Sequence, residues 1–167
     1  MQELTTTEKI SLSTTEIAKK IRQQLKEEFP NCVFSVRSKY YSMGSAITVS
    51  LMKADFKVVR EMNEISELAL FKKEHESAYT KEQIEEMQKQ KYHQLNQYVL
   101  TEEFKPDDWC NGVFLTEKAH EILGRACKIS SYYNWDNSDS QTDYYDVNFA
   151  FNIHIGQWDK KLIQVIK

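Results

Sequence analysis

Apolar residues recur at helical spacing near the start of this chain, directly after a sequence that can cap a helix. Ser13 can accept a hydrogen bond from the backbone N–H of Glu16, while the Glu16 side chain reaches back to the Ser13 backbone. Basic residues lie mostly on the other faces, so the pattern predicts an amphipathic first helix with a basic outer surface. Its apolar face ends before Pro30, which stops a helix, and consists of Ile17, Ile21, Leu25 and Phe29.

Apolar and polar residues alternate with a period of two in four other segments, which predicts strands. The first two segments flank a turn that contains Gly44, and they predict a hairpin over residues 32–51. The clearest alternation runs from Val147 to Ile155 and predicts a strand with one buried face. After a further turn, residues 162–166 can pair back as a last strand.

Three more segments between the hairpin and the Val147 strand have helical spacing. Residues 57–73 predict an amphipathic helix, and Thr80 predicts the capped start of a strongly polar helix that ends near Val99. Thr116 can cap a third helix, which ends near Cys127. The polar helix has only a thin apolar stripe, so a homodimer that buries this stripe is one alternative for the assembly.

The predicted order of elements is α-β-β-α-α-α-β-β, which is typical of an α+β fold. We expect an antiparallel sheet of about four strands with the helices packed on one face. The length of 167 residues fits a single domain, residues 1–167. Within it we expect a flexible N-terminus over residues 1–12 and a polar helical elaboration over residues 74–105.

The composition is that of a globular protein, and the charge does not single out a ligand. Apolar residues make up 41% of the chain and charged residues 28%, which is typical of a domain with a packed core. The net charge of -3 is far from that of a strongly basic nucleic-acid binder or a heavily acidic DNA mimic. Residues 1–73 carry 12 Lys and Arg against 9 Asp and Glu, whereas residues 74–167 carry 10 against 16, so the two halves can meet different partners.

The apolar residues and cysteines are distributed as in a cytoplasmic protein. No apolar run approaches the roughly 20 residues of a membrane span, and the polar N-terminal residues lack the layout of a signal peptide. Cys32, Cys110 and Cys127 form no C-x-x-C pair, and their odd number argues against a disulfide framework. We therefore interpret them as small buried residues in a reducing compartment, and we expect no contact with a membrane.

The sequence contains no recognisable enzyme site. It lacks a nucleophile elbow, a Gly-rich phosphate loop and a dinucleotide fingerprint. The four histidines are dispersed, and His154 alternates out of an apolar strand as a residue of its second face. We predict no catalytic residue, no metal site and no cofactor.

The segment 131–145 combines turn-forming residues, aromatic side chains and carboxylates. Amphipathic aromatics are enriched where interfaces concentrate binding energy, so the segment predicts a protein-binding patch, with core packing of several aromatics as the alternative. The aspartates do not match the spacing of a calcium loop and can instead hold turns by accepting from backbone N–H groups. The candidate partner-binding residues are Tyr132, Tyr133, Trp135, Asp136, Asp139 and Tyr144.

A basic and aromatic cluster around the hairpin supports a second hypothesis. Cations contact phosphates and tyrosines stack on bases, so the basic first helix and the hairpin predict a nucleic-acid-binding module. A solvated hairpin tip is the structural alternative. The candidate residues for nucleic acid are Lys19, Arg22, Arg37, Lys39, Tyr40 and Tyr41.

Two segments of the chain resemble a known family. The stretch from Phe34 to Leu51, with the helix before it, and the stretch from Tyr133 to Lys160 resemble the two characteristic blocks of the large polyvalent protein-associated domain family, domain 29 type, of phages, plasmids and conjugative elements. The resemblance implies a non-enzymatic accessory protein of a mobile element that binds and inhibits a host protein. The implied target is a component of an antiviral defence, as for an anti-CRISPR or another anti-defence protein, and the nucleic-acid-binding module is the alternative function.

Overall fold

The fold begins with the predicted capped helix. In the computed structural model, which describes residues 8, 11–77, 79–139, 141–142 and 146–166, α1 spans Thr14–Glu28. The Ser13 hydroxyl accepts from the backbone N–H of Glu16, and the Glu16 carboxylate accepts from the backbone N–H of Ser13 at 2.8 Å. The capping box predicted from the sequence is therefore confirmed. The remaining elements are, in chain order, β1 (Val33–Tyr41), β2 (Gly44–Ala54), a 3₁₀ helix (Met62–Glu64), α2 (Glu67–Ser77), α3 (Lys81–Gln88), β3 (His93–Leu95), α4 (Gln97–Thr101), α5 (Glu117–Ser131), β4 (Ala150–Ile155) and β5 (Ile163–Gln164).

The predicted α+β class is confirmed, but the sheet is mixed and has five strands. Its order is β1-β2-β4-β3, with β5 paired to the end of β2. The pairs β1–β2 and β3–β4 are antiparallel, whereas β2 pairs in parallel with β4 and β5. The expectation of a purely antiparallel sheet is wrong at these parallel pairs. The long, mostly helical connection between β2 and β4 returns the chain in the same direction, and β5 continues in the direction of β4 along β2.

The core lies between the helices and one face of the sheet. Val36, Val49 and Ile153 stand in register across β1, β2 and β4, and each is at most 2% exposed. α1 packs on β1 and β2, and α5 packs on β4. The predicted arrangement of helices on one sheet face is therefore confirmed for these two helices, and the alternate residues of each strand form the opposite face.

Two of the predicted helices are shorter than their apolar spacing indicated. The segment 57–73 becomes α-helical only at Glu67, because Val59 pairs with Leu115 and the N–H of Arg60 bonds to the Phe114 carbonyl. The segment 80–99 contains three elements, of which β3 adds an edge strand to the sheet. In both segments, pairing with distant residues overrides the local helical spacing.

The thin apolar stripe of the predicted polar helix is covered within the chain. Ile84 is fully buried and packs in a second small cluster with Ile65, Ala69, Leu70 and Phe114. Ile84 is therefore buried without a second copy of the chain. The predicted elaboration over residues 74–105 also supplies β3, so it is connected directly to the sheet.

The three cysteines are buried, as predicted from their small size and spacing. Burial raises the pKa of Cys110 to about 11 and that of Cys127 to about 12. No helix among the described residues has both the length and the apolar character to cross a membrane.

One buried histidine, His93, and one half-buried histidine, His154, predict that acid destabilises the fold. Burial lowers the pKa of His93 and His154 below the ordinary value of 6.5. Below that value the unfolded chain binds protons that the folded chain does not, so stability is lost as pH falls from about 6.5 toward the lowered folded-state pKa. We expect Tm to fall over this window, and less steeply in His93→Gln. Equal slopes in the wild-type and His93→Gln proteins would contradict the assignment.

Candidate partner-binding site

The predicted aromatic and acidic loop has an ordered base. Trp135 and Asn148 pair through the backbone, Asp136 and Val147 form an antiparallel bridge, and the N–H of Asn137 bonds to the Asp146 carbonyl at 2.8 Å. These pairings close the loop between the end of α5 and the start of β4. The loop is therefore anchored at both ends by the elements that form the core.

The two candidate aspartates hold turns and carry charge at the surface. Asp136 accepts from the backbone N–H of Ser138 at 2.8 Å, and Asp139 accepts from the N–H of Gln141 at 2.9 Å. Both side chains are exposed. Hydrogen bonds from the Ser138 side chain and backbone lower the pKa of Asp136, so this carboxylate stays ionised at neutral pH. The turn-holding role anticipated for Asp and Asn side chains fits both residues.

Tyr133 is a core residue rather than a surface residue. It is only 2% exposed, and its hydroxyl accepts from Nε2 of Gln24 on α1 at 2.7 Å. Its ring meets that of Tyr132 edge to face, with the ring centroids 5.0 Å apart. Tyr133 thus fastens the end of α5 to α1, which removes it from the predicted partner-binding surface.

The other candidate aromatics lie in different environments. Tyr132 is 36% exposed, and Trp135 is half-buried, with an indole N–H that has no hydrogen-bond partner among the described residues. Tyr144 lies outside the described residues. Tyr132, Trp135, Asp136 and Asp139 therefore remain as the described members of the predicted surface.

A cleft of about 300 Å³ lies beside this loop. It contains two exposed apolar side chains, Tyr98 at 71% exposure and Val147 at 45%. Burial keeps the Cys127 thiol protonated, with a pKa of about 12, so it offers no thiolate nucleophile here. We call this site the Tyr98 cleft; its walls include Tyr98 on α4, Cys127 and Ser131 on α5, Asp136 and Val147 in the loop, and Phe151 on β4.

Tyr98 is not among the site residues predicted from the sequence, because the segment 80–99 was interpreted as one long polar helix. In the structure the Asn96 side chain accepts from the N–H of Tyr98 and starts the short helix α4. Leu100 is then buried and Tyr98 projects outward. The Asn96 cap was the signal in the sequence that a new helix begins there.

The candidate nucleic-acid residues do not form one surface. Because Val36 faces the core, Arg37 and Lys39 project from the opposite face of the sheet. Arg22 instead donates to the Val36 carbonyl from α1, and the Tyr40 hydroxyl accepts from the N–H of Thr15 at 3.3 Å.

Of the other two members of this set, Lys19 lies apart on α1, whereas Tyr41 lies on the same side of β1 as Arg37 and Lys39. Lys19 is exposed on α1, and the Tyr41 hydroxyl donates to the Ser45 carbonyl at the hairpin end at 3.1 Å. The structure therefore separates the helix residues from the two strand cations. Within the described part of the chain, no group of three or more His, Cys, Asp or Glu residues is placed to hold a metal ion.

A known protein family matches the first part of the chain. A family model described as large polyvalent protein associated domain 29 matches residues 12–106, from the cap of α1 to just beyond α4. No curated protein and no solved structure matches the chain. The first resembling block therefore lies inside the match, whereas the block from Tyr133 to Lys160 lies outside it. Since the match covers more than half of the 167 residues and associates the chain with mobile genetic elements, the protein belongs to the large polyvalent protein associated domain 29 family.

Proposed function

We propose that this protein is a non-enzymatic accessory protein of a mobile element that binds and inhibits a host protein through the Tyr98 cleft. The observation that carries the proposal is the exposure of Tyr98 and Val147 at a concave site. Exposed apolar side chains that line a cleft mark interaction sites more often than apolar residues scattered singly over a surface. Tyrosine is also among the residues that concentrate binding energy at interfaces.

The size and lining of the cleft indicate which kind of side chain it can hold. A volume of about 300 Å³ suits one large apolar side chain rather than an extended apolar surface. Phe151 from β4 and Val147 from the loop supply apolar contacts for such an anchor. Because α4, α5 and β4 are all held by the core, the cleft is preformed and binding would cost little ordering.

The charge around the cleft indicates which residues flank that side chain in the partner. Asp136 is ionised at its wall, Asp139 is exposed in the same loop, and Glu102 and Glu103 are exposed directly after α4. Complementary charge steers partners together and selects among them. We therefore propose that the cleft binds a segment of a host protein in which an apolar side chain lies between lysine or arginine residues.

The target class follows from the association of the family with mobile elements. An element that enters a host benefits from blocking an antiviral defence, so we propose a defence component, such as a protein of a CRISPR-type system, as the inhibited partner. The protonated thiol of Cys127, the cysteine in the cleft wall, supports a binding mechanism over attack by a thiolate there. Binding alone is enough to inhibit the target protein if the target needs the bound segment for its own activity.

Capture by matched variants tests the binding surface. We expect the wild-type protein to retain a nuclease-resistant partner from host lysate, and the double variant Tyr98→Ala, Val147→Ser to lose it by about tenfold or more. Met43→Ala removes an exposed apolar side chain at the hairpin turn and is the control. The captured protein must then form a complex with the purified wild-type chain that the double variant does not form. Equal retention by the double variant would contradict the cleft as the site.

Inhibition is tested separately from binding. In a host whose CRISPR-type defence destroys an incoming plasmid, expression of the wild-type protein should raise plasmid establishment, and the double variant should not. The Met43→Ala control should act like the wild-type protein. Unchanged plasmid loss with the wild-type protein, despite a confirmed complex with a host protein, would contradict defence as the target while leaving the binding surface intact.

A further inference from the structure

The face of the sheet that points away from α1 and α5 carries a flat array of small polar side chains. We call it the open face. Because side chains alternate along strands, its residues are those between the core positions. The first row is made by Arg37, Thr48 and Asn152, and the next row by Ser35, Ser50 and His154, each in register across β1, β2 and β4.

The open face is cationic at the edge formed by β1. Arg37 and Lys39 are both exposed and project from the same side of this strand. Lys39 is in register with Ala46 and, through it, with Ala150, so small residues continue the flat surface. None of these three rows contains a carboxylate, in a chain whose net charge is -3. The face therefore favours an anionic ligand.

A turn after β4 reaches over one end of the open face. The Gln157 side chain accepts from Nη2 of Arg37 at 3.1 Å and donates to the Ser35 hydroxyl at 3.0 Å. Since Ser35 lies on β1 and the turn follows β4, the Gln157 side chain must cross β2, which explains why Ser50 is only 1% exposed. These bonds orient the Arg37 guanidinium and fix the turn that carries Trp158.

Trp158 is the most exposed aromatic residue of this region. It is 82% exposed, directly after Gln157 in the chain. Lys91 and Lys160 lie close by, because a Cβ on Gly156 would stand 2.4 Å from the Lys91 carbonyl oxygen and 3.3 Å from that of Lys160. Both lysines are exposed, beside one exposed carboxylate at Asp159. The turn therefore carries a large exposed aromatic ring, with the backbones of two exposed lysines close to Gly156.

The far side of the open face adds a second aromatic pair. The Tyr92 hydroxyl lies 3.3 Å from Nε2 of His154, and the two rings meet edge to face at 4.9 Å. Both residues are half-buried, so their edges remain accessible. A ligand that lies across the sheet would meet cations at β1, the half-buried Thr48 hydroxyl and Asn152 amide in the middle, and these rings at the β3 side.

We infer that the open face binds single-stranded nucleic acid. Arg37, Lys39 and Lys160 would contact phosphates, and a base would stack on Trp158, because every base has a π-face and single strands expose it. A duplex hides the faces of its bases, and an acidic peptide without aromatic residues has no ring to stack, so a single strand uses this combination of groups best. This function goes beyond the proposed inhibition of a host protein and uses a separate surface.

The test is a fluorescence-anisotropy titration with a labelled oligothymidine of about 12 nucleotides. A duplex of equal length and a polyglutamate peptide serve as competitors. We expect the single strand to bind most tightly, with an affinity that falls steeply between about 50 and 200 mM salt. Failure to bind the single strand, a preference for the duplex, or equal displacement by the peptide would overturn the inference.

Variants locate the site and separate its two kinds of contact. Lys39→Gln alone and Arg37→Gln with Lys39→Gln should flatten the plot of log affinity against log salt by about 0.7 for each cation removed. Trp158→Ala should weaken binding by about tenfold at an unchanged slope. Lys19→Gln and Tyr98→Ala, which change α1 and the Tyr98 cleft, should bind like the wild-type protein. A slope that changes with Lys19→Gln but not with Lys39→Gln would place the site on α1 and overturn the inference.

Discussion

Replacing Gly124 with alanine should destabilise the protein by about 2 kcal/mol or more, although alanine favours helices over glycine by about 1 kcal/mol. Gly124 lies in the middle of α5, where an added Cβ would stand 2.2 Å from the Leu100 carbonyl oxygen of α4. The contact is with backbone, so α4 must move to relieve it. Urea denaturation of the wild-type and Gly124→Ala proteins measures the difference.

The Gly124 result also bears on the Tyr98 cleft. Tyr98 and Leu100 belong to the same five-residue helix, so a displaced α4 moves one wall of the cleft. Lys128→Ala, at an exposed position on α5, is the matched control and should change stability by less than about 0.5 kcal/mol. A Gly124→Ala protein more stable than the wild type would show that α4 does not approach α5 this closely.

The second large effect is expected at Tyr133. Tyr133→Ala should cost about 3–5 kcal/mol of stability, because it empties the space of a nearly fully buried aromatic ring. Tyr133→Phe keeps the ring and loses only the hydrogen bond from Gln24, so it should cost about 1 kcal/mol. Thermal and urea unfolding of both variants measure these differences.

Tyr132 provides the comparison for Tyr133. It is the neighbouring aromatic residue, but it is 36% exposed, so Tyr132→Ala should be destabilised less than Tyr133→Ala. If Tyr133→Ala instead kept its stability and lost only partner binding, Tyr133 would belong to the interface, as the sequence had suggested. That outcome would contradict its position between α5 and α1.

The local elements of the fold were predictable where short-range physics decides them. The three helix caps predicted at Ser13, Thr80 and Thr116 are all present, because each cap depends on hydrogen bonds between residues three apart in the chain. The hairpin around Gly44 is also local. The parallel pairing of β2 with β4 was not predictable from alternation, since the same period of two describes both strand directions.

Short elements were lost because their patterns are ambiguous. His93 and Leu95 are buried and Gln94 is exposed, but three residues of alternation also fit a helical stripe. The strand forms because β4 offers it an edge with which to pair. Hydrophobic spacing shows that residues are apolar on one side, whereas the choice between helix and strand was made by tertiary contacts.

The candidate site was predictable in its chemistry and less so in its geometry. The turn-holding role of Asp136 and Asp139 follows from local spacing. The burial of Tyr133 depends on Gln24, which lies far away in the chain, so no local pattern distinguishes it from Tyr132. Likewise, the division of the basic residues between two sheet faces depends on where α1 packs.

Photocrosslinking can show whether the Tyr98 cleft holds a segment of a host protein. Tyr98 is replaced by photoreactive benzoylphenylalanine, and the same replacement at Met43, which is 93% exposed on the hairpin turn, is the control. Irradiation in the host should join position 98, but not position 43, to one protein through a segment with an apolar residue flanked by lysine or arginine. The same products from both positions, or crosslinks from position 98 to nucleic acid alone, would contradict the account.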